Sequence, residues 1–277
     1  MLTLHKPESI FSARHVPSWL LFAFAAGTVN ASALYACQTF VTHVTGTVTR
    51  LGVEIAHLTL ALDFALVLFC FIAGAMIAGL LINGRARRGK RPLHAVPLWM
   101  ACVIVAFTAI GGHFGLLGHF GGEVNRPIDF VLLSILSFAM GLQNAAVATS
   151  TGLLVRTTHL TGPATDLGIH LAELPFVEGE DLLVSKRHAA LRAGKIVAFA
   201  AGAAVAVPLA HRIGFLVFLL PAFLMTLATA LSFWPQRIAH EPPLGTPGPG
   251  GFEEKNAMAV PSPTEGPARA EGRPDAG

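Results

Sequence analysis

His43-Val44-Thr45-Gly46-Thr47-Val48-Thr49-Arg50-Leu51-Gly52-Val53 and His159-Leu160-Thr161-Gly162-Pro163-Ala164-Thr165-Asp166-Leu167-Gly168-Ile169 are two versions of one stretch in this 277-residue chain. Each follows a shorter block, Gly27-Thr28-Val29-Asn30-Ala31 in the first case and Gly141-Leu142-Gln143-Asn144-Ala145 in the second. The short blocks lie 114 positions apart and the long ones 116, so the later copy carries two extra residues between its blocks. Polar and Gly positions recurring in one order point to two similar halves. At about a hundred residues each, the halves are too long for a solenoid repeat. They suit a duplicated membrane unit of transporter type.

Composition supports a membrane setting. With 53% hydrophobic residues, 13% charged residues and a mean hydropathy of +0.62, the chain is too apolar for an ordinary soluble domain. Cys37, Cys70 and Cys102 each sit in an apolar stretch, are odd in number and lack metal-ligand spacing, which argues against a disulfide framework and a zinc site. The net charge of +3 and pI near 9.0 reflect basic residues beside apolar spans, so membrane topology accounts for them and no nucleic-acid role is assigned. Lys6 and Arg14 before an apolar run, with Ala31-Ser32-Ala33 after it, imitate a signal peptide. Cleavage there would cut the repeated motif, so residues from about 17 onward are read as a retained first span.

Six apolar stretches approach the roughly 20 residues that a bilayer crossing needs: residues 17–38, 64–82, 95–112, 128–148, 193–210 and 213–234. Between them the Thr-Gly segments, 40–62 and 153–175, are apolar but interrupted by Gly, Pro and charges, and read as broken or re-entrant pieces. With six spans and an internal N-terminus, sixteen Lys and Arg fall inside, including Arg85 to Arg91, and only Arg50, Arg126 and Arg212 fall outside. Three spans per half is an odd number, so the halves should be inverted repeats.

The expected fold is therefore an all-α membrane protein, about six transmembrane helices in two inverted three-helix repeats, each with one Thr-Gly segment. Its parts are a cytoplasmic segment 1–16, membrane repeats 17–126 and 127–234, and a disordered cytoplasmic tail 235–277 rich in Pro and Gly. Gly74 with Ala78 and Gly202 with Ala206 read as small residues that let helices approach.

The Gly-x-x-Asn-Ala and Thr-Gly blocks together, above all Gly141 to Ala145 with Arg156-Thr157-Thr158-His159-Leu160-Thr161-Gly162-Pro163-Ala164-Thr165-Asp166-Leu167-Gly168, resemble the YoaK-like family over about residues 18–234. That resemblance implies a bacterial integral membrane protein with a domain of unknown function, and names no substrate. The first half departs from the family pattern, with Asn30 where an Asp is frequent and Thr47 where an Asn commonly follows Thr-Gly. A basic residue often found shortly after Gln-Asn-Ala is also missing.

Each Thr-Gly can open a helix, with Thr47 or Thr49 as a cap in the first copy and Pro163 and Thr165 near the start in the second. A helix start within a membrane offers unpaired N–H groups to an anion or a water-filled cavity. The 116-residue offset aligns Arg50, Glu54 and His57 with Asp166, His170 and Glu173, each set on one helical stripe. Antiparallel approach would pair Arg50 with Glu173, Glu54 with His170 and His57 with Asp166. Ionisable groups at membrane depth usually pair in this way, so these residues are candidates for a proton or ion relay.

The candidate pathway comprises Asn30, His43, Thr45, Gly46, Arg50, Glu54, His57, Asn144, His159, Thr161, Gly162, Asp166, His170 and Glu173. Glu54-x-x-His57 and, in a loop, His113 with His119 are weak metal signals, and no metal or cofactor is assigned. Nucleophile-elbow, phosphate-loop and zinc-protease motifs are absent.

The leading expectation is a small secondary transporter or permease of an unknown solute, compatible with proton coupling, in the inner membrane with both termini cytoplasmic. Its partners are the lipid bilayer, a small solute or proton, and a homo-oligomer is compatible with the sequence. Alternatives are an intramembrane enzyme using His43, His159 and neighbouring acids, or a structural, partner-binding membrane protein.

Overall fold

The computed structural model of the chain describes residues 4–5, 7–122 and 126–233. The Pro-rich segment 235–277 and the start of the N-terminal segment lie outside them. Among the described residues the fold is helical, without strands. A short α1 (Pro7–Ile10) precedes α2 (Val16–Cys37), α3 (Val44–Val53) and α4 (Leu58–Gly79). A π-helical turn, Leu80–Gly84, carries α4 into α5 (Arg85–Arg87). Then come α6 (Ala95–His113), α7 (Pro127–Ser150), α8 (Thr161–Glu173), α9 (Gly179–Ile213) and α10 (Leu219–Phe233).

Five stretches are long and apolar enough to cross a membrane: Val16–Cys37, Leu58–Arg87, Ala95–His113, Pro127–Ser150 and Gly179–Phe233. Two starts differ markedly from the sequence expectation. The second stretch starts at Leu58 rather than 64, because the break in the first Thr-Gly segment ends at His57 and apolar helix begins at once. The last stretch starts at Gly179 rather than 193, because α9 extends through charged residues that precede its apolar part. It contains both α9 and α10, divided where Gly214 takes φ 54 and ψ −131, a region essentially confined to glycine.

α2 and α7 form the core. Both are apolar on all sides, the signature of a buried helix, and Trp19, Phe22, Leu133, Leu136, Met140 and Leu142 are fully enclosed. Pro127 opens α7, and the Asp129 carboxylate accepts the Arg126 N–H at 3.2 Å and a guanidinium N–H at 3.1 Å, which caps that end. The outer helices α4, α6, α9 and α10 instead expose Leu62, Phe69, Ile72, Val103, Phe107, Val197 and Phe223, an apolar belt of the kind lipid covers.

The contacts made by one half are matched by those of the other, mostly across the junction between them. α2 lies along α9 as α7 lies along α4; α2 also meets α10 as α7 meets α6, and α3 rests on α4 as α8 rests on α9. Closest approach is set by a motif occurring four times, Phe24-x-x-Gly27, Phe71-x-x-Gly74, Phe138-x-x-Gly141 and Phe199-x-x-Gly202. A Cβ added to Gly27 would strike the Phe199 carbonyl, and one added to Gly202 the Phe24 carbonyl. Gly141 and Gly74 meet the carbonyls of Phe71 and Phe138 in the same reciprocal way. Backbones in such contact gain dispersion and Cα–H···O interactions that larger residues forbid. Ala78 and Ala206, one turn on, are fully buried, in line with their reading as packing residues.

At one end of the bundle three histidines close the core. The His5 and His15 ring centres are 4.4 Å apart. Ser150 Oγ spends its proton on the Ala146 carbonyl at 2.7 Å, so at 2.9 Å it accepts from His94 Nδ1. Burial pushes the His5 imidazole from 6.5 down to about 4, helped by His15 and His94, and burial alone pushes His94 down to about 4.

Candidate functional site

The repeated blocks build a pair of matching turns. α2 stops where Gln38 adopts a left-handed conformation, φ 51, and its N–H reaches the Leu34 carbonyl at 2.8 Å. The chain then folds back on Asn30, whose Oδ1 accepts the N–H groups of Val41 and Thr42, each at 3.0 Å, and the Thr42 hydroxyl at 3.2 Å. Beyond α7, Gly152 and Leu153 turn left-handed, φ 60 and 71, and Asn144 Oδ1 accepts the N–H groups of Thr157 at 3.0 Å and Thr158 at 3.3 Å. The two additional residues of the second copy lie in this longer turn. Both Asn side chains thus fasten irregular backbone inside the bundle, where its N–H groups would otherwise lack partners.

Helix α3 starts at Val44 and α8 at Thr161, earlier than the capping positions read from the sequence. Thr47 and Thr49 are not caps; their hydroxyls donate back to the carbonyls of His43 at 3.1 Å and Thr45 at 2.9 Å. At α8 histidine holds the start instead. Gly162 N–H donates to His159 Nε2 at 3.1 Å, so that nitrogen is unprotonated and acts as the cap acceptor. A Cβ on Gly46 would lie 2.6 Å from His43 Nδ1, and one on Gly162 3.2 Å from His159 Nε2. His-x-x-Gly is therefore a unit, with the ring lying over the helix start and Gly leaving room for it.

Both helix starts open on one cavity of about 380 Å3. Its wall is made of matched positions: Asn30 with Asn144, Thr42 with Thr158, His43 with His159, Val44 with Leu160, Thr45 with Thr161, and Phe71 with Phe199. Arg156 is the remaining lining residue, and its counterpart, Phe40, does not line the cavity. An adjoining cavity of about 210 Å3 shares Arg156 and His159 and includes Gly162, Asp166, His188, Arg192 and Lys195.

Of the residues expected in a pathway, the central cavity brings together Asn30, His43, Thr45, Asn144, His159 and Thr161, with Gly46 directly behind His43 and Gly162 in the neighbouring cavity. The charged stripes do not meet as expected. Glu54 pairs with His57 and His170 with Glu173, each at 3.2 Å within its own copy. Asp166 pairs with Arg192 at 3.1 Å, and Arg50 stands over the Phe64 ring. The physical reason is that α3 packs on α4 and α8 on α9, so each stripe faces its own neighbour. His43 and His159 have no carboxylate partner among the described residues, which leaves the enzyme alternative without an assembled acid–base pair. Nor do the described residues contain a group of three or more His, Cys, Asp or Glu placed for a metal.

Sequence reasoning missed Lys195, Gln143 and the two cavity phenylalanines. Lys195 counted as a flanking charge but is buried within α9, 2% exposed. Gln143 donates from Nε2 to the Phe22 carbonyl at 3.2 Å and to the Thr157 hydroxyl at 3.1 Å, tying α7 to α2 and to the turn. The fourfold Phe-x-x-Gly motif was the available signal for Phe71 and Phe199.

No curated protein and no solved structure matches the chain. One family does, described as "Protein of unknown function (DUF1275)", over residues 18–231, which takes in both repeated blocks, both Asn-held turns and the whole cavity wall. With helices long and apolar enough to cross a membrane, the chain is a multi-helical membrane protein, and it belongs to this family of unknown function, the YoaK-like family its motifs resemble.

Proposed function

We propose that this protein is a small secondary transporter or permease of the bacterial cytoplasmic membrane, built as six crossings in two inverted three-helix repeats. The single observation that carries this reading is the cavity lined by the same positions of both halves, with Asn30, His43 and Thr45 facing Asn144, His159 and Thr161. Transporters of repeat construction place their sites at such a junction, near the bilayer midplane. Counting α9 and α10 as separate crossings makes six, and three per half sends the second half in from the opposite side. α3 and α8, at 10 and 13 residues, are too short to cross. They then act as half-helices whose N-terminal ends meet at depth. The positive-inside bias sets both termini and the Arg85 to Arg91 turn on the cytoplasmic side. Gly84 to Lys90 has the Gly-x-x-x-x-Gly-Lys spacing, but Arg91 stands where a phosphate-binding loop needs Ser or Thr, so a gradient rather than nucleotide hydrolysis drives the cycle, with His43 and His159 as the proton carriers available in the cavity wall.

Flux into liposomes containing the purified full chain tests the reading, using labelled cationic, neutral and anionic solutes with and without a pH gradient. Uptake above empty liposomes that responds to the gradient is expected. Equal uptake in both, for every solute class, rejects transport.

A further inference from the structure

We infer that the solute is a small anion carrying a carboxylate or comparable oxyanion group, selected by Arg156; this rests on the transport reading and deepens it. The central cavity wall contains no carboxylate. In the adjoining cavity the one carboxylate, Asp166, is already engaged by Arg192 at 3.1 Å. Arg156 borders both spaces and has no ion pair or hydrogen bond among the described residues. Lys195 lines the adjoining space, is 2% exposed, and likewise has neither kind of partner. A buried ammonium with no contact partner is costly, and apart from Asp166, whose charge it shares with Arg192, the lining of the space it faces offers it no negative charge.

The uncharged groups agree with the cations. Asn30, 9% exposed, has its Oδ1 occupied by three donors from its turn, so what it offers the cavity is its Nδ2 amide, which donates to nothing in the described chain. The same holds for the Nδ2 of Asn144. The starts of α3 and α8 add backbone partial positive charge from two sides. Amide and backbone donors without acceptors, and Arg156 without an ion-pair partner, converge on a space of about 380 Å3, against about 30 Å3 for a water molecule, while Lys195 faces the adjoining space. A solute of several non-hydrogen atoms fits with part of its water shell. The selecting charges come from one half only, since Phe40, Phe64 and Val67 stand where the second half has Arg156, Arg192 and Lys195.

The test uses the purified full chain, delipidated in uncharged detergent, with inorganic phosphate, sulfate and acetate as probes and choline and glycerol as comparators. Binding is read by calorimetry, and flux in liposomes of zwitterionic lipid alone. Binding and uptake of at least one anion are expected, with choline and glycerol inert. Arg156→Gln should weaken binding about tenfold to a hundredfold, Arg156→Lys should restore part of it, and thermal stability should not change because Arg156 makes no internal contact of this kind. Failure of all three anions to bind, or binding indifferent to Arg156→Gln, overturns the inference. Uptake of choline or glycerol with inert anions also overturns it while leaving transport standing. An anion that binds through Arg156 but never crosses rejects transport and retains the site. Anion binding abolished by added phosphatidylglycerol, with no anion carried, reassigns the site to a lipid headgroup and overturns the solute assignment.

Discussion

The Arg50 guanidinium lies 5.6 Å from the centre of the Phe64 ring, at the junction that an ion pair between Asp166 and Arg192 occupies in the other half. Arg50 aligns with Asp166 through the Thr-Gly blocks, and Phe64 with Arg192 through the Phe-x-x-Gly motifs of α4 and α9. One helix pair is held by a cation over an aromatic face, the other by opposite charges. The two halves keep their geometry while their chemistry differs, and the second half alone carries the Lys and Arg residues that line the two cavities.

Coupling should follow these contacts rather than the cross-half pairing expected from aligned stripes. In a double-mutant cycle by thermal stability in detergent, Asp166→Ala with Arg192→Ala should show coupling of about 0.5 to 1 kcal/mol, the range for a partly exposed pair. Arg50→Ala with Glu173→Ala should be additive. A coupling between Arg50 and Glu173 above that range would mean that α3 and α8 approach each other in the membrane.

Glycines of the repeat should divide into two groups. Gly27→Ala and Gly141→Ala place a methyl against a carbonyl of the facing helix, and should destabilise by about 1 to 3 kcal/mol through forced separation. A Cβ at Gly52 or Gly168, by contrast, meets nothing within 4 Å. Ala there should leave stability unchanged or raise it by up to about 1 kcal/mol through helix propensity. Equal losses at all four positions would discount the carbonyl contact.

Asn30 acts at the turn through its acceptor oxygen, so substitutions should rank by whether they keep one. Asn30→Leu strands the N–H groups of Val41 and Thr42, at about 1 to 3 kcal/mol for each buried orphan. Asn30→Asp still accepts all three donors and should preserve the fold. Proteolysis between Gln38 and Thr42 reads the loosened turn directly. Equal sensitivity of the Leu and Asp variants would show that the acceptor is not what holds it.

The histidine-closed end should weaken in mild acid. His5 and His94 are depressed from 6.5 to about 4 in the folded protein, so between those pH values the unfolded chain binds more protons. Their contribution is fully present above about pH 6.5, declines as pH falls towards 4, and levels off below. His94→Gln keeps a donor for Ser150 but does not titrate, and should flatten part of the stability loss over that window relative to the unmodified chain. Parallel curves for the two proteins would remove His94 from the account.

Duplication, membrane character and the places where helix is interrupted were decided by the sequence alone. Periodic apolar runs, Gly and Pro punctuation and the recurring Asn and Thr-Gly are local signals, because bilayer length and backbone hydrogen bonding constrain each segment independently of its neighbours. Which side chains share a space depends on which helices touch, and that follows from long-range packing. Phe-x-x-Gly contacts seat α2 on α9 and α7 on α4, turning the charged stripes away from each other and bringing His43 and His159 to one cavity. Lys195, at the start of the expected span 193–210, entered the sequence reading only in the count of inner-side cations, because charge in a linear sequence says nothing of depth. Only the packed helix buried it, and only the folded turns showed that Asn30 and Asn144 spend their oxygens on the chain and keep their amide donors for the cavity.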